Sequence, residues 1–143
     1  MTSTLVDTNV LVDILGGPGL GAWSQFALVR CALEGELVIN PIIWAELSAS
    51  YGSEEDLEAA FSHLPVGRLE LPFEAGFPAG QAHAAYRKAG GLREKTLPDF
   101  LIGGHASVGG LRLLTRDANR FRHHFPNVIL LTPETLPMPD THP

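Results

Sequence analysis

The chain has a single cysteine, Cys31, among its 143 residues. No internal disulfide can form, so the fold rests on a buried core, and a reducing compartment suits it. One thiol cannot build a zinc ribbon, and His83, His123 and His124 lack the paired spacing of a zinc site. No apolar run reaches the ~18 residues that a membrane span requires. The start of the chain, Met1-Thr2-Ser3-Thr4-Leu5-Val6-Asp7, has neither the basic nor the long apolar region of a signal peptide, so a cytoplasmic protein with no membrane partner is expected. No serine stands in a nucleophile-elbow motif. The run Gly16-Gly17-Pro18-Gly19-Leu20-Gly21 follows a predicted helix rather than a strand and precedes no Gly-Lys-Ser/Thr. That argues against a phosphate loop and a dinucleotide fingerprint. No internal repeat, linker or low-complexity block is present, and the length suits a single domain over residues 1–143, with an irregular tail from about residue 132.

Basic residues are scarce as well. Ten lysines and arginines face sixteen acidic residues, a net charge of −6. That balance weighs against a nucleic-acid partner until its distribution is considered. Residues 1–86 carry two basic residues against eleven acidic, a net −9, whereas residues 87–143 carry eight against five, a net +3. Such asymmetry points to a local basic surface on an acidic protein. Arg112, Arg116, Arg120 and Arg122, followed by His123 and His124, form the densest cluster. Arginines alone read as a solvated face; beside a metal carboxylate they become candidate phosphate contacts.

Short apolar runs alternate with helical patterns. Strands are expected at Leu5-Val6, Leu37–Ile39, within Leu64–Leu71, at Arg112–Thr115 and at Val128–Leu131. Helices are expected over Asn9–Leu15, Ala22–Leu33, from Pro41 through Glu46 and Tyr51, after Ser53, over Glu74–Lys88 with Pro78 delaying the start, and after Asp99. The alternation implies an α/β fold with a parallel sheet covered on both faces. Gly103-Gly104 within a helix costs stability relative to alanine, which close packing against the sheet or another helix would offset.

Four acidic residues stand where apolar segments stop or helices start. Asp7 ends Thr4-Leu5-Val6, Glu46 follows Trp44-Ala45, Asp99 follows Leu97-Pro98, and Asp117 follows Leu114-Thr115-Arg116. In a parallel sheet the carboxyl ends of the strands share one edge, where ligands bind. Each acid alone has an ordinary alternative as a helix cap, a turn residue or a solvated side chain. Gathered together, carboxylates repel and need protonation or a cation, and a hard divalent ion takes oxygen ligands. Thr8, Asn9 and Thr115 lie beside two of the acids and can orient them or bind water. His105 reads as a packed or surface histidine rather than a ligand, and Asp13 lies too far into its helix to join the set.

Val6-Asp7-Thr8-Asn9-Val10-Leu11-Val12-Asp13, Ala45-Glu46-Leu47, Leu97-Pro98-Asp99-Phe100-Leu101-Ile102 and Leu114-Thr115-Arg116-Asp117 occur in the order of a PIN domain. Over about residues 4–131 the chain resembles PIN-domain ribonuclease toxins of the VapC type from toxin–antitoxin pairs. The resemblance implies a three-layer α/β/α sandwich with a central parallel sheet, dependence on Mg²⁺ or Mn²⁺, and cleavage of RNA. It implies Asp7, Glu46, Asp99 and Asp117 as the acidic site, with Asp7 and Asp99 anchoring the metal and Thr8, Asn9 and Thr115 in support. Asn119 is a nearby polar alternative to Asp117. Arg112, Arg116, Arg120 and Arg122 would hold the RNA backbone. The expected products carry 5′-phosphate and 3′-hydroxyl ends, with no covalent enzyme intermediate. In the related toxins an antitoxin segment packs in an apolar groove and sends a basic residue towards the acids. Here a small antitoxin is expected near Trp23 and Phe26, for which core packing and a contact surface stand even; Trp44 reads as core. A homodimer is the expected assembly.

Two other readings compete. A haloacid-dehalogenase-like phosphatase also starts from a strand-end aspartate and would use a lysine such as Lys95. It needs a second aspartate two positions on, where this chain has Asn9. A non-catalytic module of the same fold is the other, although all four acidic positions are present.

Overall fold

Thr4, Leu5 and Val6 are all buried, and this three-residue strand, β1 (Thr4–Val6), is the centre of the sheet. The structure, a computed structural model, describes residues 2–16, 21–91 and 96–139. Lys95 and the residues numbered 17–20 of the glycine-rich run lie outside the described residues. After β1 come α1 (Thr8–Leu15), α2 (Ala22–Glu34), β2 (Leu37–Ile39), α3 (Pro41–Ser48), α4 (Glu54–Phe61) and β3 (Val66–Arg68). A 3₁₀ turn (Phe73–Ala75) leads into α5 (Gly76–Lys88), followed by α6 (Leu97–Gly109), β4 (Arg112–Leu114), a second 3₁₀ turn (Ala118–Arg120) and β5 (Leu130–Leu131).

All strand pairs are parallel, in the order β3-β2-β1-β4-β5. Parallel neighbours need long crossovers, and the helices supply them. Leu5 sits beside Val38 on one side and Leu113 on the other, and Val6 beside Leu114. Leu5-Val6, Leu37–Ile39 and Leu113-Leu114 in the three central strands are buried apolar runs rather than alternating ones. The chain proceeds outward from β1 through β2 to β3, then returns to lay β4 and β5 on the opposite side. The order therefore reverses between β1 and β4, and a crevice is expected beyond their carboxyl ends. The helices cover both faces, giving a three-layer α/β/α sandwich around Leu5, Leu11, Ile39, Ile43, Phe100 and Leu113. Among the described residues no helix is long and apolar enough to cross a membrane.

Several boundaries differ from expectation for local reasons. α3 starts at Pro41 because Asn40 caps it, its Oδ1 accepting from the Ile43 N–H at 3.0 Å, but it ends at Ser48 rather than Tyr51. α5 starts at Gly76, two residues later than Glu74, and Pro78 sits in its first turn, where no intrahelical N–H is needed. α6 begins at Leu97, two residues before Asp99, and β5 starts only at Leu130 because the Val128 N–H turns back to the Phe125 carbonyl. The glycine pair in α6 is explained by contact: a Cβ on Gly103 would lie 2.4 Å from the Phe125 ring, and one on Gly104 2.8 Å from the Ala75 carbonyl oxygen.

Candidate active site

Asp7 is the residue after β1 and the N-cap of α1. Its Oδ1 accepts from the Thr8 N–H at 2.8 Å, so one carboxylate oxygen satisfies an otherwise orphaned helix donor. Its Oδ2 accepts from the Thr115 hydroxyl at 2.8 Å and from Arg120 Nη1 at 3.3 Å. Asp99 has the same division of labour. It occupies the first turn of α6, where Oδ2 accepts from the Thr96 N–H at 3.4 Å, while Oδ1 pairs with Arg120 Nη2. Capping and site formation are thus not alternatives for these acids: one oxygen of each caps a helix and the other turns to a shared positive charge.

Asp7 is fully buried and Asp99 nearly so, with 5% of its surface exposed. Burial pushes the Asp7 carboxyl above its ordinary value of 3.8 and outweighs the Arg120 charge and the Thr115 and Thr8 hydrogen bonds, which all pull it down; the Glu46 charge adds to the rise. Glu46, half-buried on α3, accepts from the Thr8 hydroxyl at 2.7 Å. Thr8 thereby links the third acid to Asp7, through its hydroxyl on one side and its N–H on the other.

Thr115 follows β4 and is itself buried. Its hydroxyl donates to Asp7 and accepts from Asn9 Nδ2 at 3.3 Å and from the Asp117 N–H at 3.1 Å. One donor and two acceptor positions are all used. Asn9 Oδ1 in turn accepts from the Arg116 N–H at 3.2 Å. The expected supporting residues Thr8, Asn9 and Thr115 are therefore joined in one network that ties the end of β1 to the end of β4. Asp117 is held there by its backbone, with its residue exposed at the rim.

The four arginines separate. Arg112 starts β4 at the opposite end of the strand, where Nε and Nη2 donate to Thr4 Oγ1 and Nη1 pairs with Glu34 at 3.1 Å. Arg116 is exposed near Asp7 and pairs with Asp13 at 2.8 Å; Asp13 also accepts from Ser24. Arg122 is exposed and pairs with Glu134 at 3.4 Å. Arg120 points inward and spans Asp7 and Asp99. By its place in the sequence Arg120 reads only as a phosphate contact; an arginine three residues after a strand-end acid, in a group short of cations, is the available signal for its inward role. Trp23 and Phe26 are half-buried against the core, and Trp23 Nε1 donates to the Leu136 carbonyl at 2.7 Å, so the C-terminal segment covers the indole edge. An open groove of about 300 Å³ between α1 and α3 is lined by Val12, Leu15, Leu47 and Tyr51.

Among the described residues, no three His, Cys, Asp or Glu side chains gather as a metal cage. Mg²⁺ does not require one: it commonly takes one or two carboxylates and keeps its waters. Two buried carboxylates, each with one oxygen turned to the same cation, fit such an ion in donor type and number. The guanidinium of Arg120 is the cation between them here.

A family model described as the PIN domain matches residues 4–124. In fold the chain is similar to VapBC2 from Rickettsia felis, solved bound to a DNA fragment from their promoter, with 18% identity over 92% of this chain and 98% of that one and a TM-score of 0.72. It is similar also to DNA-bound VapBC from Salmonella typhimurium, at 21% identity over 92% and 98% of the two chains and a TM-score of 0.68. FitAcB from Neisseria gonorrhoeae gives 21% identity over 93% and 99%, with a TM-score of 0.66. No curated protein sequence matches the chain.

Proposed function

This chain belongs to the PIN domain family, and on that premise we propose that it is a divalent-metal-dependent endoribonuclease, the toxin of a VapBC-type toxin–antitoxin pair. The observation that supports the reading is the convergence of Asp7 and Asp99, 92 positions apart in sequence, on one cation position beyond the carboxyl end of β1. These two carboxylates would hold Mg²⁺ or Mn²⁺. Bound there, the ion supplies activation of a water molecule and neutralisation of charge on the phosphoryl group.

The side chains do the rest. Thr115 and the Thr8 N–H fix the Asp7 carboxylate in one orientation. Glu46, held by Thr8 at the edge of the site, is set to accept a proton from the attacking water, and Asp117 completes the acidic rim. Exposed Arg116 and Arg122 offer planar forks to the phosphates of the approaching RNA strand. Hydrolysis leaves 5′-phosphate and 3′-hydroxyl ends with no covalent enzyme intermediate. The proposed partner is a small antitoxin seated beside Trp23 and Phe26; a protein of similar fold from Klebsiella pneumoniae is likewise part of a toxin–antitoxin complex. Action in the cytoplasm, as a homodimer, belongs to the same reading.

Incubating the purified chain with mixed RNA in Mg²⁺, Mn²⁺ or EDTA, and sequencing the new ends, tests this. Discrete 5′-phosphate ends that need metal are expected. Folded protein that leaves RNA intact in both metals would instead support the non-catalytic module, and a stable aspartyl phosphate on Asp7 the phosphatase.

A further inference from the structure

Arg120 is placed where the divalent cation is expected. Nη1 reaches Asp7 and Nη2 reaches Asp99, so the two carboxylates lie at opposite corners of a single guanidinium. Both are almost entirely removed from water, and neither has another cation against it among the described ion pairs. Buried carboxylates need either a proton or a positive partner. The guanidinium meets that need. A divalent ion meeting the same oxygens would stand within the width of the guanidinium, where two positive charges repel. Only one of them can hold the pair.

The local build lets Arg120 leave. It ends a 3₁₀ turn of three residues, Ala118–Arg120, rather than standing inside a long helix. About a fifth of its side chain is open to solvent, at 21% exposure, while its guanidinium carbon lies 5.3 Å from the centroid of the neighbouring Phe121 ring. Asp7 and Asp99, in contrast, are fixed by the helix N–H groups they cap. Both anions are tethered to backbone N–H groups, whereas the guanidinium is held by ion pairs at the end of a long, partly exposed side chain.

We infer that Arg120 is a built-in competitor of the divalent cation, filling the position between Asp7 and Asp99 until the metal displaces it. This rests on the reading of Asp7 and Asp99 as the metal pair. Its consequence is a metal affinity set below what the two carboxylates alone would give. The chain would then be held inactive at low divalent-ion concentration without a folding penalty.

Calorimetric or electron-paramagnetic titration of Mn²⁺ into metal-stripped protein tests the inference without an activity readout. Arg120→Gln should bind Mn²⁺ at least about tenfold more tightly than the unaltered chain. Arg120→Lys, which keeps a charge but reaches one carboxylate at a time, should lie between them and guards against misfolding of the glutamine variant. Asp7→Asn is the control for the site. If Mn²⁺ binding depends on Asp7 but Arg120→Gln and Arg120→Lys bind equally or more weakly, Arg120 supports the site and the competition is wrong, while the metal pair stands. If neither the unaltered chain nor either Arg120 variant binds Mn²⁺, the metal pair and the inference fall together.

Discussion

The Thr115 hydroxyl donates to the Asp7 carboxylate at 2.8 Å across 108 positions of sequence, and so fastens the ends of the two strands between which the sheet order reverses. The same oxygen receives Asn9 Nδ2 and the Asp117 N–H, so no hydrogen-bonding capacity is left over. Thr115→Val keeps the shape and removes the polar atom. It should cost about 1–3 kcal/mol of stability, because a buried carboxylate and two donors lose a partner. Cleavage should fall by roughly 10–100-fold, the usual effect of losing a group that orients a metal ligand. Denaturant melts and RNA cleavage rates on the same preparation check both; unchanged stability and rate would remove Thr115 from the network.

Thr8 and Glu46 form a second such link, at 2.7 Å. If Glu46 takes the proton from water, Glu46→Gln should lower the cleavage rate steeply while Mn²⁺ affinity changes little. Thr8→Val should lower the rate by about 10–100-fold through misorientation of an intact Glu46. A Thr8 variant slower than the Glu46 variant would reverse these roles.

The basic cluster should divide by position. Replacing Arg116 and Arg122 by Ala should weaken RNA binding and reduce the slope of log affinity against log salt, by about 0.7 for each phosphate of a single strand that is no longer neutralised. Arg112→Ala should leave the slope alone and instead destabilise the fold, since Thr4 and Glu34 lose their partner. Salt titrations of RNA binding separate the two classes. A slope that falls with Arg112 and not with Arg116 would place the RNA on the other end of the sheet.

His105 gives a pH prediction away from the carboxylates. It is buried on α6, and burial holds its imidazolium below the ordinary value of 6.5. Asn40 uses Oδ1 to cap α3, so its Nδ2 faces His105 Nδ1 at 3.1 Å and fixes that nitrogen as an acceptor. Protonation would set two donors against each other. A lowered value in the fold means stability present above the unfolded value and lost as pH falls through 6.5 and on towards the folded value. Urea midpoints from about pH 8 to about pH 5 should decline, and His105→Gln should flatten that decline even if it lowers stability throughout. Parallel curves for the two proteins would rule His105 out.

The sheet was legible because its buried parallel strands are unbroken apolar runs, such as Leu37–Ile39, separated by helical patterns. Strand-end positions then followed, which is why Asp7 and Thr115 were expected near one edge. Two features escaped. Arg112 and Arg116 are near neighbours in sequence, but four residues of extended chain cover about 13 Å, so Arg112 starts β4 while Arg116 lies past its far end. The inward reach of Arg120 depends on a 3₁₀ turn at Ala118–Arg120 that leaves no periodic mark in so short a stretch. Apolar patterning reports which face of an element is buried; it is silent on where a long polar side chain ends.

The most direct test of the central claim is a single-turnover RNA cleavage assay in Mg²⁺ on the unaltered chain, Asp7→Asn and Asp99→Asn, each shown folded by its melting curve. Asparagine keeps the size of each side chain and removes the charge that would hold the ion. Metal-dependent cleavage by the unaltered chain, lost in both variants with the fold retained, is the predicted result. Full cleavage by either folded variant, or cleavage by the unaltered chain that EDTA does not stop, would contradict the assignment of Asp7 and Asp99 as the metal pair.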